Sequence, residues 1–554
     1  LERDGDRWFS WKASWTGRRI SLRQCSGSDP DRTVLPQGKE FKGPDRVSDL
    51  CGNSGHLPVW RSSDEGCDKT AVAGHHGAGG ASVYSAGCCK VFCGSRPRKD
   101  PAPCCAAVLK YVNKNDDRTK ALLKVVDLTE SFAKDRFKPE SYEAARKMIQ
   151  DPENKWMQYL NRLFDEVSPN VLKTTALNLG FDAMLYGTKV MHEAREKYQC
   201  NVPWLILMDP TSACNLKCTG CWAAEYGHLL NLSFEDMDRV ITQGKELGIY
   251  LYMLTGGEPL VRKKDIIRLC EKHNDCEFHA FTNGTLVDEE FCNEMERVGN
   301  LTLSISLEGY EKVNDGRRGK GVYEKVMHAM DLLKAHGQIF GTSICYTSKN
   351  IETVTSDEFL DMIIDKGCRF TWYFHYMPVG NDAAVDLLPT KEQREYMYHR
   401  VREIRGFTGG KQIFAFDFQN DGEYVGGCIA GGRNYFHINA NGDAEPCVFI
   451  HYSSANIKEV SVLDALRQPL FMAYHNNQPF NKNHLRPCPM LENPELLRKM
   501  VERAGAKSTD LQSPETAEHL CAKCDHYAEV WKKQADELWS ESQAKKAAKK
   551  STTC

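Results

Sequence analysis

Asp209-Pro-Thr-Ser-Ala-Cys-Asn-Leu-Lys-Cys-Thr-Gly-Cys221 places three cysteines, Cys214, Cys218 and Cys221, in one short loop with the spacing Cys-x3-Cys-x2-Cys. The loop follows an apolar run at 204–208 that reads as a strand. In barrel-type α/β folds the loops after the C-terminal ends of the strands carry the chemistry. A cubane iron–sulfur cluster normally takes four thiolates, so three from one loop would leave one iron open to a small-molecule ligand. Zinc is the rival, and it would need a fourth ligand close by and a closed tetrahedral shell.

One unit further along, a second strand at 250–255 runs into Gly256-Gly257-Glu258-Pro259. Two glycines at a strand end let the backbone come close to a ligand, and a carboxylate there can accept hydrogen bonds from an ammonium group. Further strands are expected at 277–282, 301–307, 340–346 and 370–376, separated by helical patterns. The helix at 233–247 opens with Ser233-x-x-Asp236, a capping-box variant. Another at 322–336 carries Val322, Val326, Ala329, Met330 and Leu333 on one face. Six such repeats predict parallel strands joined by right-handed crossovers. Six falls short of the eight that close a full barrel, so the α/β class expected is a partial (β/α)6 TIM-type barrel.

Residues 199–380 resemble a radical S-adenosylmethionine (SAM) core domain, on the strength of the cysteine loop followed by Gly256-Gly257-Glu258-Pro259. The resemblance implies that Cys214, Cys218 and Cys221 bind a 4Fe-4S cluster. It implies that the open iron chelates SAM and that Gly256, Gly257, Glu258 and Pro259 contact the SAM amino group. By placement it extends to Asn283 in Thr282-Asn283-Gly284, to Ser304, Ser306 and Glu308 at the end of the fourth strand, and to Arg318 as the partner of the SAM carboxylate. The chemistry implied is reductive cleavage of SAM to a 5′-deoxyadenosyl radical that abstracts hydrogen, with electrons from a donor such as flavodoxin or ferredoxin.

Beyond residue 380 the repeat is expected to end. Cys428 precedes a hairpin-like stretch, Tyr435-Phe-His-Ile-Asn-Ala-Asn-Gly-Asp-Ala-Glu-Pro-Cys447, with Asn441-Gly442 as its turn. This region, 381–530, resembles the SPASM and twitch extensions of peptide-modifying radical SAM enzymes. The resemblance implies one auxiliary 4Fe-4S cluster held by Cys428 and Cys447 with two or more of Cys488, Cys521 and Cys524; a zinc site from the same residues is the alternative. His437 and His451 read as packed or surface histidines. Cys270, Cys276, Cys292, Cys345 and Cys368 sit in apolar patterns and are assigned to packing. A basic helical tail, 531–554, reads as a solvated helix end.

The N-terminal part differs. Residues 1–104 are rich in Gly, Ser, Arg and Cys without sustained periodicity, and the first methionine of the chain is Met148. They read as disordered, or as sequence upstream of the working protein. Residues 105–198 read as helical, a domain packing against the barrel or an apolar face for a membrane surface or greasy substrate.

A net charge of −3 gives no reason to expect nucleic acid. No apolar run is long enough to cross a bilayer and residues 1–30 lack an apolar signal core, so a cytoplasmic location is expected, with peripheral membrane contact left open. Twenty-three cysteines without an export signal read as metal or cluster ligands. The substrate expected first is lipid-like, on the apolar segment 155–198 and the aromatics Trp372, Tyr373, Phe374 and Tyr376. A SPASM-type peptide or protein maturase is the second reading, and a non-catalytic iron–sulfur or zinc protein the third.

Overall fold

The computed structural model of the chain describes residues 108–113, 117–133, 138–406 and 410–551. The expectations for residues 1–104 lie outside these. Six parallel strands form where the sequence places them: β1 (Leu205–Met208), β2 (Leu251–Leu254), β3 (Glu277–Thr282), β4 (Leu301–Ser306), β5 (Phe340–Tyr346) and β6 (Phe370–His375). They lie side by side in chain order, each parallel to the next. The helix Phe234–Glu246 begins at Ser233, whose hydroxyl accepts from the Asp236 amide while the Asp236 carboxylate returns a bond to Ser233, a complete capping box.

The sheet does not stop at six strands. β7 (Phe414–Asp417) adds parallel to β6, and β8 (Tyr435–Ile438) adds parallel to β1 on the opposite edge. β9 (Ala444–Glu445) folds back antiparallel on β8 across a turn in which Gly442 has φ +97°. The C-terminal region therefore extends the barrel sheet at both ends, which corrects the expectation that the strand repeat ends near residue 380. β7 follows β6 across the helix Lys391–Ile404, whereas β8 is reached from β7 by loops and a one-turn helix, so the regular repeat is broken before β8.

The sheet curls. β3 and β6 are separated by two strands, yet the Phe281 ring lies 6.1 Å from Trp372 and 5.8 Å from Phe374. Only a rolled sheet brings these rings together across its hollow. Along β6, Thr371, Tyr373 and His375 are buried outward against helices, and the Tyr373 hydroxyl bonds the Val354 carbonyl. Trp372 and Phe374 alternate with them, partly exposed toward the lumen, as the period of two requires.

The helices of 155–198 pack on the barrel. Trp156 meets Phe414, Lys155 donates to the Ile404 carbonyl, Asn170 to Glu296 and Asn178 to Cys276. This apolar segment thus packs on the barrel, the first of the two readings of the sequence, and is not left as a free greasy face. A π-helix, Ala176–Gly187, lets Gly187 press against Gly248, where an added Cβ would lie 2.3 Å from the Gly248 oxygen. The tail belongs to one helix, Ala517–Ser551, which also carries Cys521 and Cys524, and Lys546 near its end pairs with Glu423 at 2.6 Å. No helix among the described residues is long and apolar enough to cross a membrane.

Candidate active site

The cysteine loop leaves the top of β1 and lies against the end of β2. The Gly257 amide donates to the Thr211 carbonyl at 3.0 Å and the Glu258 amide to Ala213 at 2.8 Å. Both glycines are required by this contact. Gly256 has φ +106°, and a Cβ there would lie 2.5 Å from the Thr211 oxygen; at Gly257 it would lie 2.3 Å from the Ala213 oxygen. The two motifs that are separate in sequence form one surface.

Cys214, Cys218 and Cys221 are partly exposed on this loop and lie within electrostatic reach of one another. Burial pushes the Cys214 thiol up to about 11. Burial also raises Cys218, against the opposing pull of Arg318, whose guanidinium lies 4.0 Å from the Cys218 sulfur. Among the described residues no three His, Cys, Asp or Glu side chains converge tightly enough for a single ion. A tetrahedral zinc site holds its sulfurs about 2.3 Å from the metal. Iron and sulfide together fill a wider space, and three soft sulfurs spread over one loop fit that donor pattern.

The remaining candidates divide. The Glu258 carboxylate is turned into the protein: it accepts from Thr282 Oγ1 at 2.6 Å, the Asn283 amide at 2.7 Å and the Leu260 amide at 2.9 Å. Its side chain ties β2 to β3. Asn283 bridges from there to Asn215 in the cysteine loop, 2.8 Å away. Pro259 is buried and starts a short 3-10 turn. Ser306 is partly exposed at the top of β4, whereas Ser304 is buried and bonds His279. Arg318 ends its helix, Glu311–Arg318. With Arg317 it grips the buried Glu308 carboxylate, at 2.5 and 2.6 Å.

Cys345, assigned to packing by its apolar context, is instead partly exposed on the inner side of β5 and lies within electrostatic reach of Arg317, Glu308 and Cys221. Strand alternation is the signal that could have found it, since Ile344 and Tyr346 on either side are buried outward. Cys270, Cys276, Cys292 and Cys368 are fully buried, as packing residues should be.

Behind the barrel a second set of thiols gathers. Cys428, Cys447 and Cys488 lie within electrostatic reach of one another. The buried Tyr474 lies within reach of all three and of Cys521. The Tyr435 hydroxyl sits 2.8 Å from the Cys447 sulfur, and the Leu491 amide 3.4 Å from that of Cys488. Cys521 and Cys524 share one buried helical turn. Burial raises Cys428 to about 12 and Cys447 to about 11. Cys428, Cys447 and Cys488, with Cys521 near them beside Tyr474 and Cys524 on the same helical turn as Cys521, suit a cluster's donor set.

His437 and His451, expected to be packed or surface residues, are buried in a polar network between the two thiol groups. His437 lies between Asp209 at 2.9 Å and Glu445 at 2.7 Å, and His451 pairs with Asp510 at 2.6 Å. Burial alone would lower His437, but the two carboxylates outweigh it and hold the imidazolium up at about 10.

Residues 208–363 match the radical SAM superfamily. Over that stretch the chain carries a radical SAM domain, a family of enzymes whose cofactors are a 4Fe-4S cluster and SAM. Among similar proteins, the AdoMet-dependent heme synthase of Methanosarcina barkeri is 23% identical over 51% of this chain and 85% of its own length. The PqqA peptide cyclase of Granulibacter bethesdensis is 26% identical over 44% of this chain and 67% of its own. The mycofactocin maturase MftC of Mycolicibacterium smegmatis is 27% identical over 45% of this chain and 65% of its own.

Proposed function

We propose that the chain is a SPASM-type maturase that modifies a peptide or protein. The observation that carries this reading is the second thiol set, Cys428, Cys447, Cys488, Cys521 and Cys524, gathered in the extension behind the barrel. Relatives named for peptide cyclisation and maturation support it. The lipid-like substrate loses its first support, because the apolar helices that suggested it are packed against the barrel.

In this reading Cys214, Cys218 and Cys221 hold the SAM-binding cluster, and the extension thiols hold an auxiliary 4Fe-4S cluster. Bound together, the first cluster and SAM supply a 5′-deoxyadenosyl radical for hydrogen abstraction. The chain's own residues do the rest. The backbone of Gly256–Pro259 offers its carbonyls to the SAM ammonium, with Asn283, Ser306 and Arg318 around the rest of the molecule. The lumen below, lined by Phe281, Phe374 and Trp372 on one side and Ser306 and Cys345 on the other, receives the substrate and excludes water. The partners are a peptide and a low-potential electron donor such as flavodoxin or ferredoxin. Fourteen free cysteines among the described residues fit a reducing, cytoplasmic setting. The division into 105–198, 199–380, 381–530 and 531–554 belongs to the same reading.

A planar tetrapyrrole is the second substrate reading. The aromatic wall favours it, where Trp372 stacks on Phe416 at 4.3 Å with ring planes 13° apart. The heme synthase relative adds to it.

The test is anaerobic expression of the full chain beside a Cys214/Cys218/Cys221→Ala variant, with untargeted mass spectrometry of peptides, lipids and tetrapyrroles. A modified peptide and 5′-deoxyadenosine found only with the intact protein are expected. An altered tetrapyrrole or lipid with unchanged peptides would overturn the maturase reading. Iron analysis should give about eight Fe per chain for two clusters; about four would remove the auxiliary one.

A further inference from the structure

The cysteine loop is anchored at both of its ends by a single pair of side chains that the barrel does not supply. At its start, Asp209 accepts from His437 Nε2 at 2.9 Å. At its far end, the buried Tyr226 hydroxyl donates to the Glu445 carboxylate, 2.8 and 3.0 Å from its two oxygens. His437 and Glu445 stand opposite each other on β8 and β9 and share a 2.7 Å bond. Glu445 is steadied further by Asn439 at 2.9 Å and by the Thr509 hydroxyl. Between the two anchors, Trp222, next to Cys221, packs edge-on against His437 and His451, and Tyr226 stacks on His451 at 4.6 Å.

We propose that the His437–Glu445 pair is a positioning device: by pinning Asp209 and Tyr226 it fixes the span of the loop and so the spacing of Cys214, Cys218 and Cys221. This rests on the reading of those three cysteines as cluster ligands. The hairpin of the extension thereby sets the geometry of a site on the barrel. Gly257 and Glu258 hold the loop at Thr211 and Ala213, Asn283 holds it at Asn215 and Arg317 at Thr219, whereas past Cys221 the short 3-10 turn Ala224–Tyr226 is too brief to hold itself and Tyr226 is its side-chain anchor. A buried, fully bonded carboxylate gives the distal end a rigid stop that a surface contact would not.

The test uses the full chain in two variants, Glu445→Gln and Tyr226→Phe; the second deletes a single hydroxyl and keeps the protein readable if the first does not fold. Per-residue alkylation by iodoacetamide in the metal-free protein is followed by mass spectrometry. Cys218 and Cys221 should react roughly threefold faster or more in the variants, with Cys270 and Cys292 unchanged, as local opening predicts. After reconstitution, the electron paramagnetic resonance signal of the reduced SAM-binding cluster should shift on adding SAM differently from the parent, and KM for SAM should rise more than kcat falls. Unchanged alkylation and an unchanged signal in the folded variants would overturn the proposal. Iron retained at parental level in the triple cysteine variant would instead overturn the ligand reading, and leaves the alkylation result standing on its own.

Discussion

One methyl group added at residue 257 would place a Cβ 2.3 Å from the Ala213 carbonyl and 2.4 Å from that of Ser212, backbone atoms that cannot rotate away. Gly257→Ala should therefore push the cysteine loop off β2. We expect a destabilisation of about 2 kcal/mol, within the usual range for a forced backbone shift, and at least tenfold weaker SAM binding, measured by thermal unfolding and isothermal titration. Gly284→Ala is a useful contrast: its Cβ would meet the Ile305 side chain at 3.0 Å, a softer neighbour, although its φ of +74° still strains the backbone. Glu277 makes a second residue-scale case. Burial pushes its carboxyl up to about 8, only partly opposed by the Thr175 hydroxyl, and one of its oxygens has no hydrogen-bond partner. The folded state keeps this proton where the unfolded state has already released it. Stability from this group is therefore fully present below about pH 4.5 and is lost as pH rises toward 8. Melting temperature should fall by a few degrees across that window, and Glu277→Gln should flatten this slope.

Among elements, the helix Lys391–Ile404 is fastened to the extension through a buried ion pair. Arg394 and Glu492 are both fully buried and 2.6 Å apart, and Glu492 also accepts from the Cys488 amide. Removing one partner strands the other charge, so Glu492→Leu alone should cost about 3–5 kcal/mol in denaturant unfolding, while Arg394→Met with Glu492→Leu should recover most of it. How far elements are legible from sequence depends on how local their signal is. Strands β1 to β6 and the Gly256–Pro259 motif are readable because each is a contiguous pattern. β7 is missed because Phe414–Asp417 follows the helix Lys391–Ile404 only after an irregular stretch and carries no chemical motif at its end to mark it as a strand. The roles of His437 and Glu445 are not readable at all: each is an ordinary polar residue until β8 lies beside β1, and their partners Asp209 and Tyr226 are 228 and 219 positions away. Cys345 falls between, since alternation on β5 would have turned it inward.

For the whole molecule, the extension is part of the barrel's sheet rather than an appended unit. β7 covers one side of β6 and β8 covers one side of β1. A fragment ending at residue 413 loses both, along with the anchors at Asp209 and Tyr226, and exposes unpaired edges of two central strands. It should express as aggregate or as a form that binds ANS and unfolds without cooperativity, whereas the chain 138–554 should melt cooperatively. A soluble, cooperatively folded 138–413 fragment would show that the added strands are dispensable.

The pairing of β1 with β8 also orders events in time. Leu205 lies opposite Tyr435, a partner made 230 positions later. During synthesis the first strand of the barrel leaves the ribosome with one side satisfied by β2 and the other bare until nearly all of the sheet has followed. Contacts of such separation are slow to form because the chain entropy of closing so long a loop comes before any reward. The nascent chain thus carries an apolar Leu-Ile-Leu-Met edge through 230 residues of its translation, and its yield should depend on holdase chaperones and on slow elongation more than the finished protein's stability would suggest.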